Sequence, residues 1–313
     1  GDVSLADANL LVHGSTVAIN TLLELKGAKT GLITTKGFRD TYEIARGNRV
    51  DMYDALYSKP KPLVPRSLRL EVTERINYAG EEMKPLNLKE AENAINNLRE
   101  QGVTSIAVCF LHSYSNPSHE SQMGDLIKTI YPEASVTLSH QILREYREYE
   151  RTSTTCANAY IAPTVSTYLE NLDTSVNQRG YSGSLLIMQS NGGVMDSEIA
   201  KIKPINIIES GPAGGAIGAA RLGQLLGRPN IISFDMGGTT AKTSLIEQGK
   251  PRITTEYYAG GRKGHPIMVP TIDLVEVGAG GGSIAWVDAA GALKVGPQSA
   301  GADPGPACYG KSG

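Results

Sequence analysis

Cysteine is scarce in this sequence of 313 residues: there are three, Cys109, Cys156 and Cys308, far apart and with no C-x-x-C spacing. An odd, scattered set makes a poor disulfide framework, so a reducing compartment, the cytoplasm, is expected. No apolar run reaches the ~18 residues of a membrane-spanning helix, and the start shows no charged region followed by an apolar one. A basic excess is missing too. The 30 Lys and Arg against 32 Asp and Glu leave a net charge of −2, which argues against nucleic acid or an anionic membrane as the main partner. Aromatic residues make up only 6%, but hydrophobic residues reach 40%, so Ile, Leu, Val and Ala must supply the core. There is no G-x-G-x-x-G dinucleotide turn, no G-x-S-x-G nucleophile elbow, and no H-E-x-x-H or clustered Cys and His for zinc.

What the sequence does hold is concentrated at Ser233-Phe234-Asp235-Met236-Gly237-Gly238-Thr239-Thr240-Ala241-Lys242-Thr243. The pattern predicts a buried strand ending in an acidic residue, a two-glycine turn with hydroxyls, and a return strand to Ile246. The glycines let the turn approach a ligand without a Cβ, and turn amides and hydroxyls can face phosphate oxygens. Asp235 can hold a phosphate-bound Mg2+ directly or through water. The design differs from the P-loop, and on this segment alone an ordinary tight hairpin stays open as the alternative. The 35 glycines crowd into the last third of the chain. There, Val277-Gly278-Ala279-Gly280-Gly281-Gly282-Ser283 follows a predicted strand over 272 to 277. Its bare amides suit phosphate or adenosine, or a bulged strand.

Upstream, the pattern alternates. A strand over 9 to 14 precedes a helix over 16 to 26 and a strand over 29 to 34. Residues 47 to 66, with Pro60, Pro62 and Pro65, read as an irregular excursion. A strand follows over 68 to 78. Asn87 caps a helix to Gln101, and a buried strand (103 to 111), a helix (117 to 130) and a strand (135 to 139) come next. A long helical stretch from Tyr146 to Val176 is expected to break at Pro163. A strand over 185 to 189 ends in a glycine turn, and Gly211 to Gly227 is a helix rich in Ala and Gly, suited to a close neighbour, helix or nucleotide. The alternation argues for a layered α/β domain. Two further features invite a functional or a plain reading. His13-Gly14-Ser15-Thr16 sits where a strand meets a helix N-terminus: an anion or substrate site, or a cap with His13 in the core. The charged run from Arg144 to Arg151 is a solvated helix face by default, with a cleft-lining role for Glu148 and Arg151 as the alternative.

The hairpin resembles those of the actin-like ATPase and sugar kinase superfold. More closely, the chain resembles the A subunit of the hydantoinase/oxoprolinase family (N-methylhydantoinase A or hydantoin utilization protein A-like). The resemblance rests on His13 to Thr16 with Asn20, Thr34 to Asp40, Asn116-Pro117 with His119-Glu120, and Arg147 to Thr154. It continues through Met188 to Gly193, Ser210 to Gly215, the hairpin, Val277 to Ser283, and Ser299 to Gly310.

The resemblance implies an α/β, RNase H-like fold of two lobes, with residues 1–228 as the first lobe, carrying an inserted α/β region. Residues 229–313 would begin a second, nucleotide-binding lobe. In the superfold two D-x-G-G-T hairpins clamp ATP; this sequence holds one and lacks an initiator Met, so a fragment incomplete at both ends, itself inactive, is expected. The implied activity is ATP-dependent hydrolysis of a cyclic amide, hydantoin or 5-oxoproline-like, with Mg2+ and a B subunit as partner. Ketone carboxylation, a small-molecule kinase and a non-enzymatic nucleotide module are the alternatives, and self-association stays open. The implied catalytic residues are Asp235 and His13. Gly237, Gly238, Thr239, Thr240, Lys242, Gly278, Gly280, Gly281 and Gly282 would bind nucleotide, and Asp235 and Asp273 the metal. Relatives often carry Asp at the position of Lys242 and His at that of Val275; Lys242 would contact a phosphate or point to solvent.

Overall fold

The structure, a computed structural model, describes residues 5–47, 49–238, 240–301 and 303–311. The chain forms two compact units. One comprises Gly1–Gln189, Gly193–Glu209 and Thr255–Pro270; the other comprises Ser190–Gly192, Ser210–Thr254 and Thr271–Gly313. Thus the helix Ser210–Leu225 belongs to the second unit, and the segment Thr255–Pro270 returns to the first.

The first unit is built on a four-stranded sheet in the order Arg69–Val72, Thr30–Thr35, Ser105–Cys109, Ser135–Leu138, parallel throughout. Every residue of the two central strands is buried, as parallel strands covered on both faces must be. Helices Leu88–Glu100 and Ser118–Ile130 cover one face; a Cβ on Gly31 would lie 2.7 Å from Leu98 Cδ2, so the Leu98 side chain sits directly on the bare Gly31 backbone. The helix Glu148–Gln178 covers the other face, where the Ser105 hydroxyl reaches it. Asn87 caps the first of these helices as expected, its side chain accepting the Glu90 N–H at 3.1 Å. A second, three-stranded sheet pairs Leu10–His13 in parallel with Ser184–Met188, which also pairs antiparallel with Val194–Asp196.

The expected break at Pro163 does not occur: Glu148–Gln178 runs unbroken for 31 residues. Proline removes the donor that the carbonyl four residues earlier would use. Here that carbonyl belongs to Ala159, and it accepts the buried Ser105 hydroxyl at 2.7 Å instead. The next carbonyl, of Tyr160, accepts the Ala28 N–H at 2.9 Å. Neighbouring chain segments thus satisfy what the proline leaves open.

The second unit centres on an antiparallel sheet. Ile231–Met236 pairs with Ala241–Glu247, which pairs with Lys250–Pro251 and Leu274–Val277. Helix Ser210–Leu225 packs on one face, with Ala213 and Ala216 buried beside Ile272. No side chain lies within 4 Å of where a Cβ on Gly215 or Gly218 would stand. The close neighbour expected along this helix is therefore not supplied at those two positions by the described residues. A bulged hairpin, Ser283–Val287 with Leu293–Ser299, completes the unit.

Candidate functional site

The predicted hairpin forms. Its register sets Asp235 opposite Lys242 and Met236 opposite Ala241, and the Gly237 N–H closes the turn on the Thr240 carbonyl at 3.0 Å. Thr239 lies outside the described residues. The glycine-rich loop after Leu274–Val277 lies against this turn: the N–H groups of Gly281 and Gly282 donate to the carbonyls of Gly237 and Gly238 at 2.9 and 2.6 Å. A Cβ on Gly282 would stand 3.0 Å from the Gly238 oxygen, so the approach depends on the missing side chain. Gly280 N–H donates to the Ser283 hydroxyl at 2.7 Å, which ties the loop to the next strand. Most of the residues predicted to meet nucleotide therefore share one place. Among the described residues nothing lies within 4 Å of a Cβ built on Gly238, which leaves this side of the turn open to a ligand.

Asp235 is exposed, and the strand that carries it leaves Ile232, Phe234 and Met236 exposed as well. The expectation of a buried strand is corrected: the described residues cover only one face of the sheet. Lys242 stands in register between Asp235 and Glu276, an acid-base-acid row across three strands, and opposite charges so placed favour each other. Asp273 lies beside Arg252, its Oδ2 3.7 Å from Nε. Among the described residues no group of three or more His, Cys, Asp and Glu is placed to hold a metal by itself. A Mg2+ that arrives with phosphates needs only one or two protein carboxylates, and the accessible Asp235 beside the open turn fits that requirement.

His13 belongs to the first unit. It ends the strand Leu10–His13, its Nε2 lies 2.7 Å from the Tyr168 hydroxyl, and partial burial lowers its pKa, favouring the neutral ring. The following helix, Val17–Leu23, takes no side-chain cap from Thr16; the Ser15 hydroxyl accepts the Val17 N–H at 3.1 Å.

The charged run from Arg144 to Arg151 is not simply a solvated face. Arg151 is fully buried and donates to the Ser113 and Ser139 hydroxyls and the Phe110 carbonyl at 2.6, 2.7 and 2.7 Å. Glu148 instead lines a surface cavity with Arg46, Tyr114 and Tyr146. His119 is buried between Glu74 and Glu82, with ring nitrogens 2.7 and 3.0 Å from their oxygens. Cys109 and Cys156 are buried, and burial pushes both thiols up, which keeps them unreactive. One pattern escaped the sequence reading: Gly305 to Ser312 reproduces the P-loop spacing G-x-x-x-x-G-K-[ST]. A P-loop opens a helix at its lysine; here the string holds the short 3-10 turn Ala307–Tyr309, and Ser312 lies outside the described residues.

A two-unit α/β chain with a glycine-lined hairpin site is thereby defined. Its sequence fits the hydantoinase/oxoprolinase N-terminal region over residues 2–131 and hydantoinase/oxoprolinase over residues 151–313. The chain belongs to the hydantoinase/oxoprolinase family. It is 46% identical to an uncharacterized protein of Methanocaldococcus jannaschii, over 97% of this chain and 46% of that one. It is 39% identical to the caprolactamase subunit alpha of Pseudomonas jessenii. The crystal structure of that ATP-dependent caprolactamase superimposes with a TM-score of 0.84, covering 99% of this chain and 45% of that one. A nucleotide-free acetone carboxylase superimposes with a TM-score of 0.82 at 31% identity, over 95% and 43% of the two chains. The chain thus spans less than half the length of these relatives. No helix among the described residues is long and apolar enough to cross a membrane.

Proposed function

We propose that this chain carries one phosphate-binding hairpin of an actin-like, ATP-dependent enzyme that activates the carbonyl of a cyclic amide. The observation that carries the reading is the direct backbone pairing of the Gly237–Gly238 turn with the Gly281–Gly282 loop. It spends the Gly281 and Gly282 amides on holding the two segments together, while the Gly237 amide closes the turn, and leaves Gly238 and Thr240 at the open tip to meet phosphate oxygens. The likeness to an ATP-dependent caprolactamase supports ATP as the nucleotide and a lactam-type ring as the substrate class. A lactam carbonyl is a poor electrophile. Transfer of the γ-phosphoryl group from ATP to its oxygen releases ADP and makes that oxygen a leaving group. Water then adds to the carbon, the ring C–N bond breaks as the nitrogen takes a proton, and the acyl phosphate so formed is hydrolysed by a second water to phosphate and the free amino acid.

In this scheme the open turn at Gly237, Gly238 and Thr240 binds and orients the phosphates, with Lys242 beside them. Asp235 would hold Mg2+, which when bound neutralises charge on the transferring group. His13 is assigned to the substrate side, and a B subunit of the same family to the ring-opening step. The likeness to acetone carboxylase favours ketone phosphorylation as the second reading; the mass of the product separates the two. The test is Asp235→Ala in the complete protein with its partner. Steady-state ADP release should fall at least about a hundredfold, the scale of removing one preorganised electrostatic contact, while the melting temperature stays unchanged because Asp235 is exposed. Wild-type ADP release from this variant would sink the assignment.

A further inference from the structure

Helix Ser118–Ile130 places Glu120 in the interior of the first unit, completely buried. Its Oε1 accepts the Phe110 N–H at 2.9 Å and the Ser139 hydroxyl at 2.6 Å. Its Oε2 accepts the backbone N–H and the ring Nδ1–H of His140 at 3.0 and 2.7 Å. Arg151 stands 4.0 Å away. Both carboxylate oxygens are therefore occupied by donors, and that fixes the His140 ring: Nδ1 carries a proton toward Glu120, and Nε2 is the nitrogen left over.

The His140 residue is 7% exposed, and Nε2 has no partner among the described residues. The ring lines a cavity of about 630 Å³ together with Gln141, Ile142, Arg144, Ile202 and Lys203. Arg144 spends only its Nε–H, on the His140 carbonyl at 3.2 Å, and Lys203 has no carboxylate partner among the described residues. Two cations with no carboxylate partner among the described residues, and one unpartnered nitrogen of a buried histidine, thus converge on one cavity, remote in sequence from the hairpin.

We propose that this cavity binds a small molecule bearing an oxyanion, a carboxylate or a phosphate. Arg144 and Lys203 supply the counter-charge, the arginine through its planar fork. His140 Nε2, the acceptor nitrogen of this tautomer, takes a hydrogen bond from a hydroxyl or protonated oxygen of the ligand, and Glu120 is a positioning residue that acts through the ring.

The test is NMR of protein labelled with [15N]histidine, titrated with sodium acetate or with inorganic phosphate, ionic strength being held with chloride. The expected result is a saturable shift of the His140 ring signal at low millimolar anion, on the order of 1 mM. The tighter of the two anions identifies the class: acetate for a carboxylic acid, phosphate for a phosphorylated ligand. Arg144→Gln and Lys203→Gln should each weaken the interaction roughly tenfold with no change in melting temperature, and the double variant should abolish saturation. These variants leave the buried Glu120–His140 pair intact, so a folding defect does not confuse the result. A shift that rises linearly with anion, or one that saturates equally in the double variant, overturns the proposal.

Discussion

The two principal sheets of this molecule bury their apolar residues in opposite ways. In the first unit the central strands Thr30–Thr35 and Ser105–Cys109 are buried residue for residue, because helices lie on both faces. In the second unit Ile232, Phe234 and Met236 are 71%, 65% and 56% exposed. Register puts Leu245 opposite Ile232, and Val275 in the row of Phe234, and both are exposed as well. These residues share one face, since directly paired residues on neighbouring strands point the same way. The opposite face holds Ile246 and Ser244, both buried. Continuous hydrophobicity in a strand therefore means two different things here. In the parallel sheet it records helices that the chain itself supplies; in the antiparallel sheet one apolar face has no cover among the described residues.

The polar groups divide along the same line. The first unit holds a buried polar cluster around Glu120, Ser139, His140 and Arg151, whereas the hairpin of the second presents backbone and an exposed carboxylate. The sharpest way to break this contrast is Glu120→Ala. It leaves the Phe110 N–H, the Ser139 hydroxyl and the His140 N–H and ring without their acceptor and Arg151 without the carboxylate 4.0 Å away, and removing one partner of such a cluster costs about 3–5 kcal/mol. Urea unfolding measures it. The pH dependence has a definite sign. Burial opposes the charge, but hydrogen bonds from His140, the Arg151 charge and the Ser139 hydroxyl outweigh it and hold the Glu120 carboxyl below the usual range. Its stabilising contribution is therefore complete above the ordinary glutamate value and is lost as pH falls through the depressed folded value. Glu120→Gln should flatten that acid limb.

Next in size is Leu98→Ala. Leu98 is fully buried and packs against the sheet at Gly31, where no side chain can move in to fill the space. A loss of about 2–5 kcal/mol in urea unfolding is expected. An effect below 1 kcal/mol would show that the first sheet is not sealed by its helices.

Much of this architecture was legible in the sequence because the signals are local. Asn87 and the apolar positions after it mark a capped amphipathic helix, and two glycines between apolar runs mark the hairpin. The features that escaped depend on partners distant in the chain. Nothing near Pro163 indicates that Ser105, 58 positions earlier, satisfies the Ala159 carbonyl. Arg151 sits in a run of charges that reads as solvated, yet its acceptors come from Phe110, Ser113 and Ser139. The exposure of Phe234 was hidden for a related reason: a strand's pattern says which residues share a face, not whether anything covers it.

The Ser105 contact is itself testable. Ser105→Ala leaves the Ala159 carbonyl buried without a donor, at a cost of about 1–3 kcal/mol. Restoring the local donor by Pro163→Ala in the same chain should return most of that loss, since the helix could then close its own bond. Two additive losses would mean that Ser105 does not compensate for the proline.

The smallest expected effect tests the other side of the comparison. Phe234 is a large aromatic in the middle of a strand, and in a sealed sheet its truncation would cost about 3–5 kcal/mol. Here folding removes only about a third of its surface from water, as its 65% exposure indicates. Its cross-strand neighbour Thr243 contributes a polar side chain to the same row, so little packing is forfeited. Phe234→Ser should therefore change the unfolding free energy by no more than about 0.5 kcal/mol, the range of ordinary surface substitutions. It should also lower binding of an apolar fluorescent dye, because it breaks the centre of the uncovered patch. A loss above 2 kcal/mol would mean that this face is buried in the folded protein, and the distinction between the two sheets would fail.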